Sequence, residues 1–253
     1  EKLSAADTET VARLVGGALF QKESVDDVQE FDTSYSMPGV ARFRVNIYRQ
    51  RGSLAVVMRI IPTEVRTIDG LGLPAVVERI SEIERGLVLV TGATRSGKST
   101  TLAAMIRRIN ETRTAHILTI EDPIEFLHRG QRSSISQREI GIDTRNFVPG
   151  LRSALRQDPA VLLVGEMRDA ESIDIGLRAS ETGHVVFSTV HTTDAPKTVS
   201  RLVSVFAPEE QRNARLRIAD NLRATISQRL LPRADGNGMG LAVEIMICTG
   251  SIR

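Results

Sequence analysis

Eight residues constrain this chain more than any others. Gly92-Ala-Thr-Arg-Ser-Gly-Lys98-Ser99 fits the pattern G-x-x-x-x-G-K-[ST]. Upstream, Gly86-Leu-Val-Leu-Val90 has the apolar character of a strand buried on both faces. Downstream, Leu102, Met105, Ile106 and Ile109 share one face at helical spacing, which predicts a helix over 98–110. A strand that turns into a helix through glycines lets backbone N–H groups curl round phosphate oxygens, where the helix N-terminus adds positive potential. Lys98 would neutralise those oxygens, and Ser99 would offer a hydroxyl to Mg²⁺. By residue frequency alone the pattern arises in about 1 chain in 100 of this length. The strand before it and the helix after it make chance a poor explanation. Gly92, Ala93, Thr94, Arg95, Ser96, Gly97, Lys98, Ser99 and Thr100 form the candidate nucleotide-binding set.

Apolar runs like the one before this loop recur at Ile117–Ile120, Val161–Val164 and Val185–Val190. Helical patterns over 98–110, 148–156 and 170–181 separate them, and strands alternating with helices predict an α/β fold with a doubly wound parallel sheet. The first sixty residues follow a different pattern. Val11, Leu14, Val15, Ala18 and Leu19 predict the buried face of a helix, with Ser4-Ala-Ala-Asp7 placed to cap it. From Ala41 to Tyr48, Phe43, Val45 and Ile47 alternate with Arg42, Arg44 and Asn46. A turn at Gln50-Arg51-Gly52 and a second strand over 54–61, closed by Pro62, complete a hairpin. The N-terminal part therefore predicts a helix packed on a small antiparallel sheet. Residues 63–73 have the polar, Gly-punctuated character of a linker. Pro74 then suits a first helical turn, with Val76, Val77, Ile80 and Ile83 on its face. The expected organisation is an α+β domain over 1–62, a linker over 63–73 and an α/β domain over 74–253. Arg233–Gly240 reads as a flexible turn.

Composition narrows the functional classes. The chain has 253 residues, long enough to bury a core without staples, and its formal net charge is +2. With no Trp, two Tyr and seven Phe, it has neither the field nor the flat rings of a nucleic-acid platform. One cysteine, Cys248, rules out an internal disulfide framework and a four-cysteine zinc site. No apolar run approaches the length that spans a bilayer.

The chemistry of a phosphate loop calls for a metal carboxylate and a group that orients water. Val161-Leu-Leu-Val-Gly-Glu166 is an apolar strand closed by a carboxylate, and the arm of Glu166 suits a Mg²⁺-bound water. Thr119-Ile-Glu-Asp-Pro-Ile-Glu125 puts three carboxylates just past another strand, at the edge where ligands sit in such sheets. Spacing does not choose between Glu121, Asp122 and Glu125 as general base. His184 and His191 bracket the fourth strand about 20 Å apart, too far to share a metal.

Together, Gly92–Thr101, Thr119–Phe126, Gly165-Glu-Met-Arg-Asp169 and the segment from Thr182 through His191 to Thr193 resemble the secretion ATPases of type II secretion and type IV pili, in detail the pilus-retraction members. These segments match the family's Walker A, Asp box, Walker B and His box, and the resemblance runs from about Gly39 to Ile247. It implies a RecA-like P-loop ATPase domain behind a smaller PAS-like domain, assembled as a homohexamer that hydrolyses ATP to ADP with Mg²⁺ to power pilus retraction. It implies Lys98 and Ser99 on phosphate and Mg²⁺, Glu166 as the Walker B carboxylate and metal ligand, and Glu125 as the catalytic glutamate. His184 and His191 become nucleotide-sensing candidates. Arg44 and Arg59, with Arg42 in reserve, match arginines that reach nucleotide phosphates from the N-terminal domain. The implied partner is an inner-membrane pilus platform protein, with the ATPase peripheral at the cytoplasmic face, no insertion in the membrane and no direct nucleic-acid contact. The resemblance also implies sequence beyond both ends of this chain.

Two departures stand in the phosphate loop: Ala93 replaces the family's Pro, and Arg95 its Gly. The absence of a four-cysteine insert points away from extension and secretion members. A retraction-accessory paralogue shares the nucleotide motifs. Outside the family, the rival readings are a RecA-like DNA motor and a nucleotide-binding regulator without turnover.

Overall fold

The structure, a computed structural model, describes residues 3–20, 28–62 and 64–249. It divides into two compact units, Glu1–Glu64 and Val65–Arg253.

In the first unit, helix α1 (Ala5–Phe20) precedes an antiparallel sheet of β1 (Glu30–Met37), β2 (Ala41–Gln50) and β3 (Ser53–Ile61) in the order β1-β2-β3. The expected capping box forms: the Asp7 carboxylate accepts from Ser4 N–H at 2.9 Å, and Ser4 Oγ accepts from Asp7 N–H at 3.2 Å. The buried face of α1 is rotated from the expected one. Ala12 and Val15 are covered by Val45, Ile47 and Leu54, whereas Leu14 is 66% exposed. A short helix over a three-stranded sheet has one partner layer, which covers a narrower stripe than the sequence offers. The side chains of Ala18 and Leu19 lie outside the described ones. On β2 the alternation is as expected, with Val45 and Ile47 fully buried and Phe43 packed beside them. β1 was not legible, because Glu-Phe-Asp-Thr-Ser-Tyr-Ser-Met carries little apolar signal.

The second unit has a seven-stranded sheet. Its strands are β4 (Gly86–Thr91), β5 (His116–Glu121), β6 (Ser134–Glu139), β7 (Val161–Val164), β8 (Val185–Val190), β9 (Leu222–Pro232) and β10 (Met239–Ile247), in the order β10-β9-β4-β8-β7-β5-β6. Every pairing is parallel except β9 with β10, an antiparallel hairpin whose turn contains most of 233–240. Helices α2 (Val76–Ser81), α3 (Lys98–Thr112), α4 (Phe147–Ala154), α5 (Ala170–Glu181), α6 (Ala195–Ser204) and α7 (Gln211–Asn221) cover it. Alternate residues of each central strand feed two separate cores. Leu87, Leu89, Leu162 and Val164 pack with residues of α4 to α7, while Val88, Val90, Val161 and Leu163 pack with those of α2 and α3. That two-faced burial is why these strands read as continuous apolar runs.

The residues expected to form a linker behave differently from that reading. Ile68 and Leu73 are 3% and 6% exposed and join the core of α2 and α3, flanking a single 3₁₀ turn at Asp69–Leu71. The polar residues between them outweighed these two anchors in the sequence pattern. Thr63 lies outside the described residues.

Candidate functional site

All six parallel strands leave their C-terminal ends at one edge of the sheet, and each chemical motif follows one of them. The phosphate loop follows β4, His191 follows β8, Glu166 follows β7 and the acidic turn follows β5. Adjacent strands lie about 4.8 Å apart, so sheet order ranks the motifs by distance from the loop: His191, then Glu166, then the acidic turn.

The loop folds round its own lysine. Lys98 Nζ donates to the carbonyls of Gly92 at 3.1 Å and Ala93 at 2.9 Å. Burial lowers the Lys98 pKa, and the nearby Glu166 carboxylate opposes that shift. Two glycines are structurally required. A Cβ on Gly92 (φ +146°) would come within 2.5 Å of both the Gln228 carbonyl and Ser96 Oγ. Gly97 (φ 89°) precedes α3 in the left-handed region, and no side chain caps that helix, so its first N–H groups are available to an anion.

A feature absent from the sequence reading holds the loop against the sheet. Gln228 on β9, 2% exposed, donates through Nε2 to the Ser96 carbonyl at 2.8 Å. One residue earlier, Ser227 Oγ accepts from Thr91 Oγ1 at 2.9 Å, tying β9 to the end of β4. Gln228 Oε1 and Ser96 Oγ are both buried without a hydrogen-bond partner among the described residues. A glutamine in the polar run Thr-Ile-Ser-Gln-Arg has no local signature, so only the sheet order could reveal it.

Glu166 sits in a charged cluster with a side chain 14% exposed. Its carboxylate lies 2.6 Å from an Arg168 guanidinium nitrogen and 3.7 Å from His191 Nε2. The His191 pKa is lowered by burial first and by the positive Lys98 next; Glu166 opposes the shift and Arg168 adds to it. Lys98, Glu166 and His191, expected from separate motifs, share one electrostatic neighbourhood. Thr189 Oγ1 donates to the Gly165 carbonyl at 2.7 Å, and Gly165 N–H donates to the Ile120 carbonyl at 2.8 Å, which link β8, β7 and β5 just behind it.

The acidic turn divides its carboxylates by environment. Glu121 accepts from Thr119 Oγ1 at 2.7 Å, from Gln137 Nε2 at 3.3 Å and from the Glu125 N–H at 3.3 Å. The residue is partly covered but its carboxylate is desolvated, and that burial raises its pKa against the pull of its donors. Buried Glu139 on β6 accepts from the Ile124 N–H at 3.2 Å. Gln137, also on β6, receives the His128 N–H at 2.8 Å and donates to the Phe126 carbonyl at 2.9 Å. Glu121, Glu139 and Gln137 thus fix the turn that carries Glu125, whereas Asp122 is exposed.

His184 is not part of this cluster within the chain. It precedes β8, at the opposite end of the sheet from His191, and its Nδ1 lies 3.0 Å from the Ala179 carbonyl and 3.2 Å from Thr182 Oγ1. A strand's length separates the two histidines, so one chain cannot bring both to one phosphate. In the first unit, Arg44 and Arg59 are direct partners across β2 and β3, and both are exposed. Arg42 on the same face donates to Ser34 Oγ at 2.7 Å.

The donors also indicate which metal fits. Among the described residues, no group of three or more His, Cys, Asp or Glu side chains could hold an ion. The chain offers an exposed Ser99 hydroxyl in the first turn of α3 and the Glu166 carboxylate. That sparse oxygen set fits Mg²⁺, which keeps several waters and takes other ligands from substrate phosphates.

Comparison with known proteins agrees with this geometry. Residues 36–243 match the family model described as type II/IV secretion system protein. The chain is 51% identical over 233 residues to the type IV pilus retraction ATPase PilT of Pseudomonas aeruginosa, covering 92% of this chain and 67% of that one. It is 53% identical over 224 residues to a twitching motility protein of Neisseria gonorrhoeae, covering 88% of this chain and 60% of that one. The crystal structure of the pilus retraction motor PilT with bound ADP superposes with a TM-score of 0.92 at 45% identity, covering 97% of this chain and 71% of that one. The chain thus spans about two thirds of its relatives' length and belongs to the type II/IV secretion system protein family, the family of the pilus retraction ATPase it resembles.

Proposed function

We propose that this chain is the nucleotide-hydrolysing part of a hexameric motor ATPase that powers type IV pilus retraction. The observation that carries the reading is the convergence of the Lys98 loop, Glu166 and His191 at one sheet edge, beside an acidic turn braced to present Glu125. The retraction motor whose structure was solved with ADP shares this fold at 45% identity.

In this mechanism the loop N–H groups and Lys98 bind the β- and γ-phosphate oxygens of ATP. Glu125 orients a water and takes its proton as the water attacks the γ-phosphorus in line. Glu121 acts through Glu125, by holding its backbone. His191, 3.7 Å from Glu166, serves as a nucleotide-sensing group. Ser99 and Glu166 would hold Mg²⁺ together with the phosphates, and the ion would supply charge neutralisation there. Arg44 and Arg59 serve as phosphate-reaching arginines from the N-terminal unit, Arg42 being in reserve, and His184 serves a site formed between subunits. Product release changes the relation of the two units, and a pilus platform protein of the inner membrane receives that movement. Among the described residues no helix is long and apolar enough to cross a membrane; the proposed location is the cytoplasmic face, reached through that partner.

Steady-state phosphate release, combined with sizing by light scattering, tests this reading. It expects Mg²⁺-dependent turnover by a particle of six chains. Nucleotide binding without phosphate release would instead support a regulator, and turnover that rises on adding DNA would support a DNA motor. A deletion strain that keeps normal pilus retraction would support an accessory paralogue.

A further inference from the structure

The turn at the centre of the phosphate loop carries a feature that phosphate binding by backbone and lysine does not explain. Ser96 N–H donates to the Ala93 carbonyl at 3.2 Å, closing a four-residue turn with Arg95 in its third position. Arg95 has φ 64°. A positive φ at that position is the province of glycine, since any side chain brings its Cβ against the backbone. Two glycines of the same loop, Gly92 and Gly97, occupy such conformations in the ordinary way. A long cation held where glycine would relieve strain is an outlier that asks for a role.

The surroundings supply one. Arg95 is exposed and makes no side-chain hydrogen bond or ion pair among the described residues. Lys98, by contrast, is buried and committed to the carbonyls of Gly92 and Ala93. The loop therefore carries one cation on its inner side and one exposed cation at its turn. Next to Arg95, Ser96 is 5% exposed and its buried hydroxyl has no partner among the described residues, a second polar group of the same turn left unsatisfied.

We infer that Arg95 is a second cation of the phosphate site, which pairs with the terminal phosphate of a bound nucleoside triphosphate and biases the site toward triphosphate over diphosphate. The inference rests on the nucleotide-binding reading of the loop. A guanidinium stays charged and presents a planar fork to two phosphate oxygens, whereas the ammonium of Lys98 acts as a point charge. Because Arg95 is exposed, its contribution is sensitive to salt. The diphosphate lacks the group it pairs with, so the contribution falls mainly on the triphosphate.

Calorimetric titration of the whole chain with ATPγS and with ADP, at low and high salt, separates charge from backbone strain. Arg95→Gln keeps the positive φ strain and removes the charge; Arg95→Gly removes both. The expected result is that both variants bind ATPγS about 3- to 10-fold more weakly at low salt. Their ADP affinity changes less, and the difference shrinks at high salt. Arg95→Lys recovers part of the loss. The inference is overturned if Arg95→Gln binds ATPγS as the wild type does, or if Arg95→Gly binds it more tightly. Lys98→Ala in the same titration keeps two failures apart. If it retains ATPγS affinity, the nucleotide reading itself fails. If it loses affinity while Arg95→Gln does not, only the role of Arg95 fails.

Discussion

Replacing Gln228 with leucine tests how the sheet shapes the phosphate loop. The two side chains are similar in volume, so the change acts on hydrogen bonding rather than packing. It removes the 2.8 Å bond from Gln228 Nε2 and leaves the Ser96 carbonyl buried with no side-chain donor. Leaving a buried carbonyl without its donor costs roughly 1–3 kcal/mol. The leucine also removes Oε1, which is buried without a partner, and this offsets part of the loss. The net effect is about 1–2 kcal/mol against the present loop conformation. For a unit of this size that corresponds to a fall in Tm of about 2–8 °C. If the loop must be reordered to bind nucleotide, the same energy appears as about 5- to 30-fold weaker ATPγS binding. Thermal unfolding and calorimetric titration read both quantities on one preparation. Gln228→Glu at neutral pH should lose at least as much, since a carboxylate cannot donate to Ser96 and would repel phosphate. Unchanged Tm and unchanged ATPγS affinity in Gln228→Leu would refute the claim that β9 holds the loop.

Two further changes probe the same edge of the sheet. Gly92→Ala places a Cβ within 2.5 Å of the Gln228 carbonyl and Ser96 Oγ at a φ of +146°, so nucleotide affinity should fall at least about 10-fold by titration. Glu121 has a raised pKa because its carboxylate is desolvated. Above the unfolded-state value near 4.5 the folded state retains this proton longer than the unfolded chain, so the contribution of Glu121 to stability is greatest below that pH and declines as pH rises through the folded pKa. Glu121→Gln lacks the titration; its destabilisation relative to wild type should therefore be larger at pH 4 than at pH 7 in denaturant unfolding. A difference that stays constant between those pH values would contradict the burial of this carboxylate.

The parts of the fold that were legible in sequence are those where a single element carries its own evidence. β4, β7 and β8 are buried on both faces, so Leu87–Val90, Val161–Val164 and Val185–Val190 had to be apolar throughout. The phosphate loop was legible because its glycines answer to backbone geometry within eight residues. What escaped depends on partners distant in sequence. β6 reads Ser-Ile-Ser-Gln-Arg-Glu, yet Gln137 and Glu139 brace the acidic turn from it. β9 carries Ser227 and Gln228 inside the molecule, where bonds to β4 and the loop hold these polar residues. Spacing could not rank Glu121 against Glu125, because the donors to the Glu121 carboxylate come in part from Gln137 on a strand distant in sequence. Ile68 and Leu73 were hidden for the opposite reason: two isolated anchors in a polar stretch have no period. His184 and His191 were legible as the two ends of one strand, and the parallel sheet order puts His191 at the edge that carries the phosphate loop.

The central claim is that this chain hydrolyses ATP with Glu125 as the group that activates water. Steady-state phosphate release from Glu125→Ala, measured beside the wild type with ATPγS binding as a control for folding, tests it directly. The account predicts Mg²⁺-dependent release by the wild type, and a rate at least about 100-fold lower in the variant with nucleotide affinity retained. Phosphate release by Glu125→Ala at the wild-type rate would contradict it.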